Sequence, residues 1–189
     1  MPDRTFTRRD FLVATAIGLG APTMMLLARR PRRSAIVTEP GDVTIVEFGD
    51  DGVRKGVVHV AKLVKSDDAW RAQLSELAFD VARRGGTERP FSGAYWNEHG
   101  KGLFRCICCD TALFTSAAKF DSGTGWPSYW EPLAQENVRH GAPSSGFTAS
   151  EVTCTRCDAH LGDLFDDGPK PTGLRYCIDS VSLRFVKSA

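Results

Sequence analysis

Two cysteine pairs, Cys106-x-x-Cys109 and Cys154-x-x-Cys157, stand 44 residues apart and constrain this chain more than any other feature. A C-x2-C step folds into a tight turn that offers two thiolates on one side, and two such turns complete a tetrahedral set for zinc. The gap is longer than in an ordinary ribbon, so strands must run out and back between the knuckles. Two disulfides are the other reading that spacing leaves open, and an oxidising compartment permits them. Cys108 lies between ligands and reads as a spare thiol rather than a fifth ligand. Cys177 stands apart, and on spacing alone it is a core cysteine of a strand. Arg175, two positions earlier, projects to the same face of an extended segment and would favour a Cys177 thiolate.

Around the cysteines the pattern is that of an α+β chain, mostly antiparallel β. The 189 residues are 42% hydrophobic, enough for one real core. A net charge of +1 lacks the basic excess of a nucleic-acid binder. Val43 to Phe48 and Val53 to Val60 are rich in β-branched residues and flank Gly49-Asp50-Asp51-Gly52, which predicts a hairpin. Two short helices follow. Asp67 or Asp68 can cap the first, through Leu74. Ser75 can cap the second, with Leu77, Ala78, Val81 and Ala82 on its buried face and Gly85 closing it. Later strands are expected at Gly102–Cys106, Phe147–Thr153 and Val181–Val186, where Val181, Leu183 and Phe185 alternate with polar neighbours.

The first 33 residues differ from the rest. They hold seven Arg and two Asp, a net of +5, which leaves −4 for residues 34–189. Arg8-Arg9 precedes Phe11-Leu12 and an uncharged run to Ala28, and this resembles a bacterial twin-arginine export signal. The 18-residue run would span about 27 Å as a helix, barely a bilayer core, and Gly18, Gly20 and Pro22 weaken it as a permanent anchor. Residues 1–33 are therefore expected to be a signal or anchor, 34–66 a hairpin extension, and 67–187 the functional domain. The expected destination is the periplasm; an uncleaved segment 11–28 would instead hold the protein at the inner membrane.

Within the last region the motifs Gly123-Thr-Gly-Trp-Pro-Ser-Tyr129, His160-Leu-Gly162 and Arg175-Tyr-Cys-Ile178 occur in order behind Gly86-Thr-Glu-Arg-Pro-Phe91. Together with the two knuckles they resemble the B-type methionine sulfoxide reductases. The resemblance implies two small antiparallel sheets, one structural Zn2+ per chain held by Cys106, Cys109, Cys154 and Cys157, and reduction of the R epimer of methionine sulfoxide. It implies Cys177 as nucleophile, passing through a sulfenic acid. It also implies Trp126 against the substrate methyl group, His160 as a hydrogen-bonding site residue, and Arg175 supporting the thiolate.

Three positions depart from the family. Asp163 stands where a second histidine is usual, Asp179 where asparagine is usual, and Thr124 where many members carry a resolving cysteine. The two carboxyls could supply a proton to the leaving oxygen if burial or their neighbour raises a pKa. The absent resolver implies a thioredoxin-like dithiol as reductant. A different reading of the same chain is an inactive zinc-ribbon-like module that only binds peptides. The export reading makes a direct prediction. Arg8→Lys with Arg9→Lys keeps the charge yet should abolish periplasmic accumulation in cell fractionation, and unchanged accumulation would refute it.

Overall fold

A computed structural model describes residue 36, residues 38–141 and residues 149–188. The twin-arginine segment and Phe147 lie outside the described residues. Strands β1 (Asp42–Phe48) and β2 (Arg54–Ala61) form the expected hairpin, joined across Gly49–Val53. Helix α1 (Asp67–Gln73) and helix α2 (Glu76–Arg84) follow. Then come β3 (Gly102–Cys106), β4 (Ala112–Thr115), β5 (Lys119–Phe120), β6 (Ser128–Tyr129), β7 (Val138–His140), β8 (Ser150–Cys154), β9 (His160–Phe165), β10 (Arg175–Ile178) and β11 (Leu183–Lys187). Besides the hairpin there are two antiparallel sheets: a three-stranded one in the order β11-β3-β4, and a six-stranded one in the order β5-β6-β10-β9-β8-β7.

The core lies between these sheets and the two helices. Trp70, Phe79, Phe104, Phe114, Tyr129 and Tyr176 are all buried within it. Phe114 and Tyr129 stack at 4.4 Å between ring centroids, an arrangement that adds to the area they remove from water. The hairpin docks through Asn137, whose amide takes the Val46 N–H at 2.8 Å and donates to the carbonyls of Val46 and Ala112. A fully buried amide is tolerated because its donors and acceptor are met.

Local details correct three expectations. Ser66, not Asp67 or Asp68, caps α1: its backbone is extended and its hydroxyl accepts from Ala69 N–H. The two aspartates occupy the first turn instead, where their charge suits the positive helix end. In α2, Ser75 and Gly85 cap the ends, but Leu77 is half exposed and Phe79 fills the core in its place. Val181 does not belong to the last strand. It sits in a 3₁₀ turn, Ser180–Ser182, because the buried Glu88 carboxylate accepts the N–H groups of Ser180 and Val181 at 2.7 and 3.1 Å.

Candidate active site and metal centre

The knuckles converge. The Sγ atoms of Cys106, Cys109, Cys154 and Cys157 all lie within 4.8 Å of one another, and all four residues are buried. Cys106 and Cys157 are 3.7 Å apart at sulfur, Cys109 and Cys154 3.5 Å. A disulfide would need about 2.05 Å. A tetrahedral ion with bonds of about 2.3 Å holds its sulfurs about 3.8 Å apart, so the donor set fits a metal ion and not two disulfides. Both knuckles turn alike: Asp110 N–H returns to Cys106 O and Asp158 N–H to Cys154 O, each at 2.9 Å. Cys108 is buried outside the four-sulfur set, and its carbonyl accepts from Gln73 Nε2 at 2.8 Å.

Cys177 sits in β10, half buried, between Asp163 of β9 and Ser128 of β6. Gly162 makes that packing possible. A Cβ there would lie 2.0 Å from the Cys177 carbonyl oxygen, so any side chain would push β9 and β10 apart. The Thr124 hydroxyl lies 4.0 Å from Cys177 Sγ and hydrogen-bonds Ser122, which in turn bonds Ser128, both at 2.8 Å. Burial pushes the Cys177 thiol up, opposed by Arg175 and by the Thr124 contact, while Asp179 and Asp163 push it further up. Arg175 acts in the expected direction but does not prevail. Its guanidinium is engaged by Asp167 at 2.7 and 2.8 Å, and it lies over the Phe165 ring.

Asp179 is the group most altered by its surroundings. It is 3% exposed, and burial raises its carboxyl to about 7, with the charges of Glu88 and Asp163 adding to the rise. The Glu88 N–H at 3.0 Å and His160 pull the other way. His160 Nε2 lies 3.9 Å from Asp179 Oδ2, and its Nδ1 pairs with Glu151 at 2.7 Å. If Nδ1 carries the proton toward the Glu151 carboxylate, Nε2 presents its lone pair toward Asp179. Trp126 is half buried, and its indole N–H donates to Glu88 O at 3.3 Å. One residue, Glu88, thereby ties together Asp179, Trp126 and the turn after β10.

The SelR domain family matches residues 74–187. Among curated relatives, the peptide methionine sulfoxide reductase MsrB of Herminiimonas arsenicoxydans is 54% identical over 125 residues, covering 66% of this chain and 91% of its own. MsrB of Pseudomonas aeruginosa is 54% identical over 128 residues, covering 67% and 97%, and that of a Synechococcus strain is 53% identical over 121, covering 64% and 89%. The chain belongs to the SelR-domain family. The hairpin β1–β2 precedes the matched region.

Within the SelR domain the expected site residues fall into two groups. Cys177, Asp163, Asp179 and His160 gather where β9 and β10 pair and β10 ends, with Trp126 beside them on the turn before β6. Arg175 lies on the same strand as Cys177, turned to Asp167, and the four cysteines whose sulfurs fit a metal ion form the separate cluster. Glu88, Glu151 and Asp167 were not singled out by sequence reasoning as partners of this site. Only Glu88 had a signal, its place in the Gly86–Phe91 motif. Phe91 of that motif holds φ at 62°, a left-handed geometry costing an L-residue roughly 1–2 kcal/mol.

The metal centre can be tested directly. Purified protein is expected to carry one metal ion per chain, and Cys154→Ser should lose it and melt well below wild type. Metal analysis that finds none, with two disulfides by mass spectrometry, would overturn the assignment.

Proposed function

We propose that this protein reduces the R epimer of methionine sulfoxide to methionine, as the free amino acid or within proteins, with Cys177 as nucleophile. The observation that carries this reading is the half-accessible Cys177 thiol, beside a buried Asp179 carboxyl raised to about 7, in a SelR domain. The thiolate attacks the sulfoxide sulfur, and the oxygen is protonated and leaves as water when the sulfur–oxygen bond breaks. A water then attacks the Cys177 sulfur and breaks the new sulfur–sulfur bond, so that one proton is consumed overall. Methionine leaves reduced by two electrons, and Cys177 is left oxidised by two as a sulfenic acid. Trp126 packs against the substrate methyl group, and His160 holds the oxygen side of the site by hydrogen bonding.

An external thioredoxin-like dithiol restores the enzyme. It attacks the sulfenic acid, releases water, and resolves the mixed disulfide to give back the Cys177 thiol. Thr124, whose hydroxyl lies 4.0 Å from the thiol, stands where many members of the family carry a resolving cysteine, and a hydroxyl cannot form the disulfide. Four of the remaining cysteines form the metal cluster, and Cys108 is buried on the first knuckle. The ion is zinc, which four thiolates in tetrahedral array suit, and its contribution is to cross-link the knuckles. The protein acts in the periplasm after twin-arginine export, a route that allows the thiolates to be metallated before oxidising conditions are met.

Separate assays on the two sulfoxide epimers with dithiothreitol test the reading. Turnover should be confined to the R epimer and absent in Cys177→Ser; no turnover of either epimer would favour an inactive peptide-binding module. The pH dependence follows from the two acids. Reaction needs a thiolate at Cys177 and a proton at Asp179, one proton between them. Below about pH 7 the pair carries two protons, and above the raised thiol pKa it carries none. The single-turnover rate should therefore rise to about pH 7, stay level above it, and fall only beyond the raised thiol pKa. Asp179→Asn should remove the level region, its rate climbing with thiolate alone through the same interval. A level profile retained in that variant would exclude Asp179 as the proton donor.

A further inference from the structure

Phe91 is an aromatic side chain placed where folding alone would not place one. It is the third residue of a turn, Arg89-Pro90-Phe91-Ser92, closed by Ser92 N–H and Ser92 hydroxyl bonds to Arg89 O at 3.3 and 2.7 Å. Proline second and a positive φ third make a type II turn, whose third position suits glycine or asparagine. Yet the ring is 55% exposed, so it recovers little by burial, unlike the core aromatics Phe79, Phe104 and Phe114 at 0–1%. The chain thus retains both backbone strain and a wetted apolar ring at one residue. Such a combination marks a site held for contact with something else.

The location says with what. Phe91 N–H bonds Gly125 O at 2.8 Å, and its Cδ2 lies 2.8 Å from where a Cβ on Gly125 would be, so the ring's edge is seated on that glycine. Gly125 lies between Thr124, whose hydroxyl is 4.0 Å from the Cys177 thiol, and Trp126. Behind it, Trp96 meets Phe91 edge-on at 5.3 Å and 82°. The other large exposed apolar residues, Val53, Val57, Val64 and Leu77, lie on the hairpin, its following segment and α2. Phe91 alone among them adjoins the site.

We propose that Phe91, braced by Trp96, is a specificity-determining residue that receives an apolar side chain neighbouring the oxidised methionine in an extended polypeptide. The proposal rests on the methionine sulfoxide reading and deepens it by one contact, made with the residue beside the oxidised methionine when that residue is apolar. Phe91 does not touch the reacting atoms; it lengthens the apolar surface next to Trp126 by one substrate residue.

The test compares kcat/KM for N-acetyl-methionine-R-sulfoxide, a pentapeptide with leucine on both sides of the sulfoxide, and the same peptide with serine. Phe91→Gly and Phe91→Asn both suit the positive φ, so neither threatens the turn, and thermal melts at or above wild type should verify this. Wild type is expected to favour the leucine peptide. In both variants the ratio of leucine-peptide to N-acetyl turnover should fall about tenfold, mainly through KM, with Phe91→Tyr restoring it. An equal fall on all three substrates, or an unchanged ratio, would overturn the proposal. Wild type inactive on every substrate would overturn the parent reading, and this one with it.

Discussion

The four-sulfur cluster is the constraint on which the rest of the molecule hangs. Its knuckles come from different sheets: Cys106 ends β3 of the three-stranded sheet, and Cys154 ends β8 of the six-stranded one. Both strands carry buried aromatics or β-branched residues into a core small enough that a cross-link matters. The segment before the matched family region and helix α2 within it together reinforce the second knuckle. Thr38 and Arg83 both donate to Cys157 O, at 3.0 and 2.7 Å, Leu63 N–H bonds Arg156 O, and Lys62 pairs with Asp158 at 2.8 Å. Arg83 also holds Ile36 O and the Thr38 hydroxyl, so the N-terminal segment and α2 close over the knuckle together. A buried arginine is acceptable there because carbonyl and hydroxyl acceptors meet its terminal nitrogens.

Glu88 ties the end of β10, the strand that carries Cys177, to the turn that leads into β11. Its carboxylate caps the 3₁₀ turn that separates β10 from β11, its N–H reaches Asp179, and its carbonyl receives Trp126. β11 then returns to pair with β3, whose last residue, Cys106, belongs to the four-sulfur cluster. Displacement of Glu88 would therefore disturb Asp179 and the Trp126 indole in the same motion. That coupling explains why a carboxylate is buried at a place with no cation bonded to it: backbone N–H groups do the neutralising.

Much of this was legible in the sequence, and the failures share a cause. The hairpin, the β3 strand, the Ser75 and Gly85 caps and the two cysteine knuckles follow from signals within a few residues of each other. Leu77 was misplaced because two apolar residues, Leu77 and Phe79, compete for the same helix and only tertiary packing chooses the larger. Val181 alternates properly for a strand, but Glu88, more than ninety residues away in sequence, bends that segment into a turn. The partners of the site were hidden for the same reason. Glu151 meets His160 across the β8–β9 ladder, and Asp167 meets Arg175 from the loop between β9 and β10; neither pairing leaves a local trace. Asp163 and Asp179 were visible as departures from the family, whereas the rise of Asp179 required knowing that it is buried.

The balance of charges around Cys177 gives the departures a consistent meaning. Arg175 offers positive charge, but Asp167, itself largely exposed, engages it in two hydrogen bonds and offsets its field at the thiol. Asp163 and Asp179 add negative charge, and burial acts in the same direction, so the resting group is a thiol rather than a thiolate. A protonated thiol is a poor target for stray oxidants. In the proposed reaction it becomes a nucleophile by passing its proton to a neighbour, and Asp179 is a neighbour with an affinity for protons close to neutrality. An asparagine there could hold the substrate oxygen but could not carry the proton, whereas a carboxyl can do both. On the proposed mechanism, the sequence change moves the activation of the thiol from a fixed charge to a proton that is passed within the site.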